Sequence, residues 1–291
     1  MSIYYTVKGK RDGFGAQYQA IMSGIAYCES DENLVYVHSP FMYISHLPRH
    51  PLSIREMNDF IGIPPSPQVP QAEQKTIQVE PFSHWVHNST EPDLFYTAAV
   101  RQRLRDYYLS TWKPELLVVP EIAVHIRRGD VTPQIKTRFV PNEVYQKVLL
   151  WLRTQYPTSR ITLYSEGHAK DFEDLLALGP IQLVLNGDIR TTFHSLVTAK
   201  ILVTSKSSFS YAAALLQKNT VYYMPFWHHP LSFWKSFPPA ILQVRGTVPE
   251  TRPGSVDGDG PVSDPWCAET RPERPGKDHV DQIEERPIHH R

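Results

Sequence analysis

Glu121–Val131 reads EIAVHIRRGDV, and this stretch decides the fold. Ile122, Val124 and Ile126 suit one face of a strand, while Ala123 and His125 fall on the other. The apolar run ends abruptly in Arg127 and Arg128, followed by a glycine and an aspartate. The pattern predicts a buried strand that delivers charge to a cleft. Gly129 permits a turn or a close backbone approach. The two arginines offer rigid forks suited to a phosphate or diphosphate. From residue types alone the segment binds an anionic ligand, the competing reading being an edge strand with a solvated basic end.

Downstream the strand–helix order repeats. Asn142 is expected to cap a helix through Val144, Val148, Leu149 and Leu152. Strands are expected at 161–164, 181–185, 201–204 and 221–224, with helices near Phe172–Leu178, Thr192–Ala199 and Ser207–Gln217. This alternation argues for a parallel sheet with helices on both faces. Ligands of such sheets lie beyond the carboxyl ends of the strands. Arg127 and Arg128, Glu166, Asp188 and the run Ser205–Ser210 all fall at such ends. In TSKSSFS, Ser207 and Ser208 offer hydroxyls and helix-start N–H groups to phosphate oxygens, and Lys206 adds charge. Serine is equally favoured there as a plain N-cap.

Upstream, Ile3–Val7 reads as a strand. Gly13 and Gly15 precede a helical pattern through Tyr18, Ile21, Met22, Ile25 and Ala26, which Ser23 and Gly24 interrupt without ending. The third glycine of a dinucleotide fingerprint and the Gly-Lys-Ser/Thr of a P-loop are both missing. A second strand is expected at Leu34–His38. Ser53 and Glu56 form a capping box ahead of a short helix through Phe60. Residues 61–93 carry many prolines, only short strand-like pieces such as Thr76–Val79, and Trp85 between His84 and His87. They read either as a binding loop on the acceptor side or as a surface wrap. A helix is expected over Phe95–Trp112, with Phe95, Ala98, Ala99, Leu104, Tyr107, Tyr108 and Trp112 buried. Arg101, Arg103 and Arg105 are expected to form its solvated face.

The chain has 291 residues, with 30 basic and 30 acidic ones, so no field for bulk nucleic-acid attraction is expected. Cys28 and Cys267 suggest no disulfide framework. No membrane span or signal pattern is read, and Asn88-Ser89-Thr90 matches a glycosylation acceptor. His228 and His229 lack a convincing third metal ligand. Residues 247–291 are rich in proline and poor in aliphatics and read as a low-order tail.

HIRRGDV resembles the His-x-Arg-Arg-Gly-Asp motif of the fucosyltransferase superfamily with alpha-1,2, alpha-1,6 and protein O-fucosyltransferase branches. Ala199 through Ser210 fit that family's late serine pattern, and Asp12, Gly13, Phe14, Gly15 and Gln17 match its glycine-rich loop loosely. The resemblance covers roughly residues 3–225. It implies an α/β chain of GT-B type, two facing Rossmann-like domains with mostly parallel sheets. Residues 1–117 would form the acceptor-side domain, with the irregular loop 61–93, and 118–246 the nucleotide-sugar domain. The implied reaction is metal-independent, inverting transfer of fucose from GDP-fucose to a glycan hydroxyl, leaning to alpha-1,2; the alternatives are transfer from another nucleoside-diphosphate sugar and a non-catalytic glycan- or nucleotide-binding domain. No cofactor is implied.

Arg127, helped by Arg128, would stabilise the leaving diphosphate. The donor would be met by Gly13, Gly15, His125, Glu166, Asp188, Lys206, Ser207, Ser208 and Phe209, and Gln17 or Gln19 could bond donor or acceptor. Asp130 would orient an arginine or act as base, with Asp12 and Glu166 as the other candidate bases. The partners would be a nucleotide sugar and a carbohydrate acceptor, and not nucleic acid. The setting would be the cytoplasm of a bacterial or viral host, or a soluble catalytic domain of the secretory pathway.

Overall fold

The structure is a computed structural model that describes residues 2–9, 11–45, 53–66, 68–71, 73–80, 86, 89–135 and 137–243. His84, Trp85, His87, Asn88, Cys267 and the segment 247–291 lie outside the described residues. Two parallel sheets organise the rest, so the expected α/β class with parallel sheets is met.

The first sheet has the order β2-β1-β3, with β1 Ile3–Val7, β2 Leu34–Tyr36 and β3 Gln78–Glu80, all parallel. Helix α1, Phe14–Cys28, makes the crossover from β1 to β2. It is buried nearly all round, as expected of a helix apolar on every side. Ser23 meets that burial by donating its hydroxyl to the Gln19 carbonyl at 2.7 Å. Helix α2, Ile54–Ile61, starts at the expected capping box and stops at Gly62, whose φ is 67°. The strand read at 76–79 lies two residues later, because Gln74–Thr76 forms a 3-10 turn.

Helix α3 spans Ala98–Leu109, shorter than Phe95–Trp112. The Thr97 side chain accepts the Val100 N–H and starts the helix there. Its buried face is Val100, Leu104 and Tyr108. Ala98 and Ala99 face solvent, and Trp112 is 62% exposed beneath the Arg190 guanidinium. The arginines are not a free face either. Arg101 covers the Phe233 ring at 4.3 Å, Arg103 pairs with Glu29, and Arg105 donates to the Leu216 carbonyl. Long guanidinium stems reach the neighbouring half, which a spacing argument treats as water.

The second sheet has the order β6-β5-β4-β7-β8-β9, again wholly parallel. Its strands are β4 Ile122–His125, β5 Ile161–Ser165, β6 Ile181–Leu185, β7 Ile201–Val203, β8 Thr220–Tyr223 and the unforeseen β9 Lys235–Ser236. The helices between them are α4 Asn142–Gln155, α5 Glu173–Leu176, α6 Ile189–Thr198 and α7 Ser208–Leu215. A last short helix, α8, covers Pro239–Leu242.

The alternation in β4 sorts the core. Ile122, Val124 and Ile126 enter one cluster with Val144, Tyr145 and Val148 of α4. Ala123 enters the other, with Phe193 of α6, Ala212 of α7 and the residues of α1. That second cluster extends without a break into the first sheet.

Phe14 at the start of α1 meets Phe60, Phe193 and Phe209 with ring centroids 6.2, 5.2 and 6.1 Å away. Gly15 permits this approach. A Cβ there would lie 2.4 Å from the Phe209 backbone nitrogen and α-carbon. Gly15 is thus a helix-contact glycine, and the first turns of α1 and α7 are in contact.

Candidate functional site

The sheet order locates a crevice. From β4 the chain adds β5 and β6 on one side, then returns to add β7, β8 and β9 on the other. The order therefore reverses between β4 and β7, the usual ligand position in a doubly wound sheet. Arg127 leaves β4 and Ser205 leaves β7 at this point. The Arg127 N–H donates to the Ser205 hydroxyl at 3.1 Å and joins the two loops.

The spacing Arg-Arg-Gly-Asp has a local cause. Gly129 has φ 80°, and the Asp130 N–H donates to the Arg128 carbonyl at 3.0 Å. This tight reversal folds Asp130 back on Arg127. Nη2 donates to Oδ2 at 2.6 Å and Nε to Oδ1 at 3.2 Å. Nη1 reaches the Lys206 carbonyl at 3.4 Å. A side chain at 129 would be blocked twice, by its φ and by Glu166, whose Oε2 lies 2.0 Å from where a Cβ would stand. Arg127 is therefore a guanidinium held in one orientation, with its charge partly answered by Asp130.

The serine run closes the other wall. Ser205 is buried, sharing a 3.0 Å hydrogen bond with the Tyr145 hydroxyl and donating its N–H to Ser210 Oγ. Ser207 caps α7 by accepting the Phe209 N–H at 3.2 Å. Its O–H remains a donor, so capping and ligand contact are compatible. The His125 ring packs 5.5 Å from Phe209, and its Nδ1 is buried without a hydrogen-bond partner. Burial, then the Arg127 charge, lowers its pKa to about 3. The imidazole is neutral at physiological pH.

The other residues singled out in the sequence have different settings. Arg128 turns away from the crevice. It donates to the Arg127 and Val140 carbonyls and to Asn142 Oδ1, and lies 4.2 Å over the Phe139 ring. It braces the 139–142 loop. Asn142 accordingly bridges Arg128 to Asp174 instead of capping α4, whose N-cap is Pro141. Asp188 caps α6 through the Thr191 N–H at 3.0 Å, at the far edge strand. Phe209 packs between Phe14, His125 and Phe193.

Gln17 donates to the Asp12 and Tyr43 carbonyls, each at 2.7 Å, and so anchors the glycine loop. Gln19 is buried inside α1. Asp12 accepts the Gly13 N–H at 2.7 Å and is exposed at the α1 start. Lys206 and Ser208 flank the α7 cap, partly buried.

Sequence reasoning missed Tyr145, which shares its hydrogen bond with Ser205, and Ser165, whose hydroxyl donates to the Ile126 carbonyl at 2.6 Å. Ser205 lay inside the run already singled out. Tyr145 was hidden in an apolar helical stripe. Among the described residues no group of three or more His, Cys, Asp or Glu is placed to hold a metal. The triplet Asp257-Gly258-Asp259 lies outside them. Nor is any described helix long and apolar enough to cross a membrane.

One buried histidine, His125, and two half-buried ones, His38 and His194, make stability depend on pH. Burial lowers His125 to about 3, and His38 and His194 to about 4. Each is below the unfolded value of roughly 6.5. Between the two values the unfolded chain binds more protons, so acid favours unfolding. The melting temperature is expected to be level near pH 7.5 and to fall as the pH drops from about 6.5 towards 4. Calorimetry across that range checks this, and a flat profile would contradict it.

No protein-family model matches this chain, and no curated protein does. Solved structures are similar in chain course. An E. coli heptosyltransferase, WaaC, solved with ADP-2-deoxy-2-fluoro heptose, is 14% identical, with TM-score 0.39 over 82% of this chain and 94% of that one. The fucosyltransferase NodZ from Bradyrhizobium is 10% identical, with TM-score 0.37 over 75% and 94%. A UDP-N-acetylglucosamine 2-epimerase structure from Listeria monocytogenes is 9% identical, with TM-score 0.39 over 77% and 79%. Likenesses this distant carry no substrate to the present chain.

Proposed function

We propose that this chain is an inverting glycosyltransferase that transfers fucose from GDP-fucose to a glycan hydroxyl, most simply in alpha-1,2 linkage. The observation that carries the reading is Arg127, fixed by Asp130 at the β4–β7 crevice beside the α7 cap. A leaving nucleoside diphosphate gains negative charge as the sugar bond breaks. A preset cation and helix-start N–H groups stabilise that charge without reorganising. Arg127, Lys206, Ser207 and Ser208 would supply them, which leaves a metal ion no necessary part. Arg128 acts on this reading through the loop it braces. Neutral His125, packed on the Phe209 ring, would shape the nucleotide side from within the wall.

The acceptor would approach from the half built on the first sheet, with the division near residues 117 and 118. Asp12 at the α1 start and Glu166 across Gly129 are the carboxylates open for general base work. Asp130 is better suited to orientation, since both its oxygens bind Arg127.

Transfer is expected from GDP-fucose in a panel of sugar nucleotides, undiminished by EDTA. Failure of every GDP-sugar to bind would overturn the assignment. Asp130→Asn separates the two roles of that residue. An orienting Asp130 raises donor KM and leaves the pH profile of kcat in place. A basic Asp130 lowers kcat and removes the acidic limb.

A further inference from the structure

The β4–β7 crevice opens where one ladder stops short of another. β4 pairs with β7 as far as Val124 and Val203, and with β5 one residue further, to His125 and Tyr164. On the β5 side the chain stays held beyond that point. The Ile126 N–H donates to the Tyr164 carbonyl at 2.9 Å, and the Ile126 carbonyl accepts the Ser165 hydroxyl at 2.6 Å. On the β7 side a side chain takes over from the ladder. The Arg127 N–H donates to Ser205 Oγ at 3.1 Å.

Behind Ser205 stands Tyr145, in the first turn of α4. Its hydroxyl shares a 3.0 Å hydrogen bond with Ser205 Oγ, its one hydrogen-bond partner among the described residues. Its ring is fully buried in the cluster that takes in Ile122, Val124 and Ile126 of β4. Its neighbours in the buried stripe of α4 are apolar, Val144, Val148 and Leu149. A phenylalanine would fill that space with no polar atom to satisfy. Burying a hydroxyl costs free energy unless it is hydrogen-bonded. Packing therefore accounts for the ring and not for the hydroxyl.

The hydroxyl does have a place in the support of Arg127. Ser205 is tied at its backbone by the N–H bond to Ser210 Oγ at 3.0 Å. Its Oγ is tied by Tyr145 and by the Arg127 N–H. The phenol thus holds the serine rotamer to which the Arg127 backbone is attached. The Arg128 guanidinium lies 5.9 Å from the centroid of the same ring. Tyr145 therefore meets the supports of both arginines.

We propose that Tyr145 is a positioning residue, whose hydroxyl fixes through Ser205 the point from which Arg127 enters the crevice. It touches no reacting atom. Its effect on rate rests on the transferase reading above, and its effect on the Arg127 backbone does not. A cation that stabilises a developing charge works only in place, and a shift of about 1 Å can cost about a hundredfold in rate.

Tyr145→Phe in the full chain is the test, since it keeps the ring and removes only the hydroxyl. Amide hydrogen exchange by NMR reads the backbone directly. Exchange at Arg127 is expected to quicken severalfold, while Ile126, held by β5, stays as in the parent. An unchanged Arg127 amide, or equal quickening at both, would overturn the proposal. Kinetics with GDP-fucose form the second arm. Tyr145→Phe is expected to lower kcat by about tenfold and to change donor KM far less. Combined with Arg127→Ala it is expected to cost nothing more, because the hydroxyl acts through Arg127. Losses that multiply in the double variant would mark Tyr145 as merely structural and sink the idea. A parent that transfers from no sugar nucleotide refutes the transferase reading, and the exchange pattern then decides this one alone.

Discussion

Arg127→Ala is expected to lower turnover with GDP-fucose by about two to three orders of magnitude, the cost of removing one preset donor from a developing anion. The melting temperature should move only slightly. The Arg127 side chain is 19% exposed and, among the described residues, its hydrogen bonds go to Asp130 and the Lys206 carbonyl, so its loss removes no apolar core residue. Arg127→Lys should recover little, because the contact to Asp130 uses Nε and Nη2 together and lysine has no fork. Arg128→Ala gives the contrast. It frees the Val140 and Asn142 oxygens and should destabilise the 139–142 loop before it touches the chemistry. Initial rates and thermal melts on the same samples separate the two. Unchanged turnover in Arg127→Ala would remove that residue from its role.

Gly15→Ala should be strongly destabilising. The added Cβ would stand 2.4 Å from backbone atoms of Phe209, and backbone cannot rotate aside. Relief requires α1 to move off α7, which opens the ring contacts of Phe14 with Phe193 and Phe209. A loss of about 3 kcal/mol follows, the upper end for overpacking. For a domain of this size that corresponds to a fall of roughly 6–12 °C in melting temperature. Gly24→Ala is the control, since its Cβ would press on the Tyr36 ring, a side chain with some freedom to yield. Urea unfolding of both variants is the measurement. A Gly15→Ala protein as stable as the parent would show the helix contact to be misjudged.

The parallel second sheet was legible from β4 to β8 because each of those strands is a short, largely apolar run punctuated by polar turns, whereas β9, the exposed pair Lys235–Ser236, carries no such signal. The inward and outward faces of β4 followed from simple alternation. What failed was whatever depended on reach. Arg101 and Arg105 lie at helical spacing suited to water, yet their stems cross to Phe233 and Leu216. Trp112 looked like core by residue type, but α3 ends before it. Both arginines of the motif suited a phosphate by residue type alone. Only the folded chain distinguishes them, one fork folded on Asp130 and the other closed within its own loop. Asp188 and Ser207 are alike in this respect. A helix-capping side chain and a ligand-binding one are drawn from the same few residue types.

The apolar cluster that runs from α1 through Phe193 and Phe209 into β4 has a consequence for how the molecule comes apart. Neither sheet owns its covering layer. Each half would expose one side of a shared aromatic seam if released from the other. Calorimetric unfolding should therefore give one transition for residues 2–243, with the calorimetric and van't Hoff enthalpies equal. Separately produced pieces cut between Lys113 and Glu121 should be insoluble alone and recover structure when mixed.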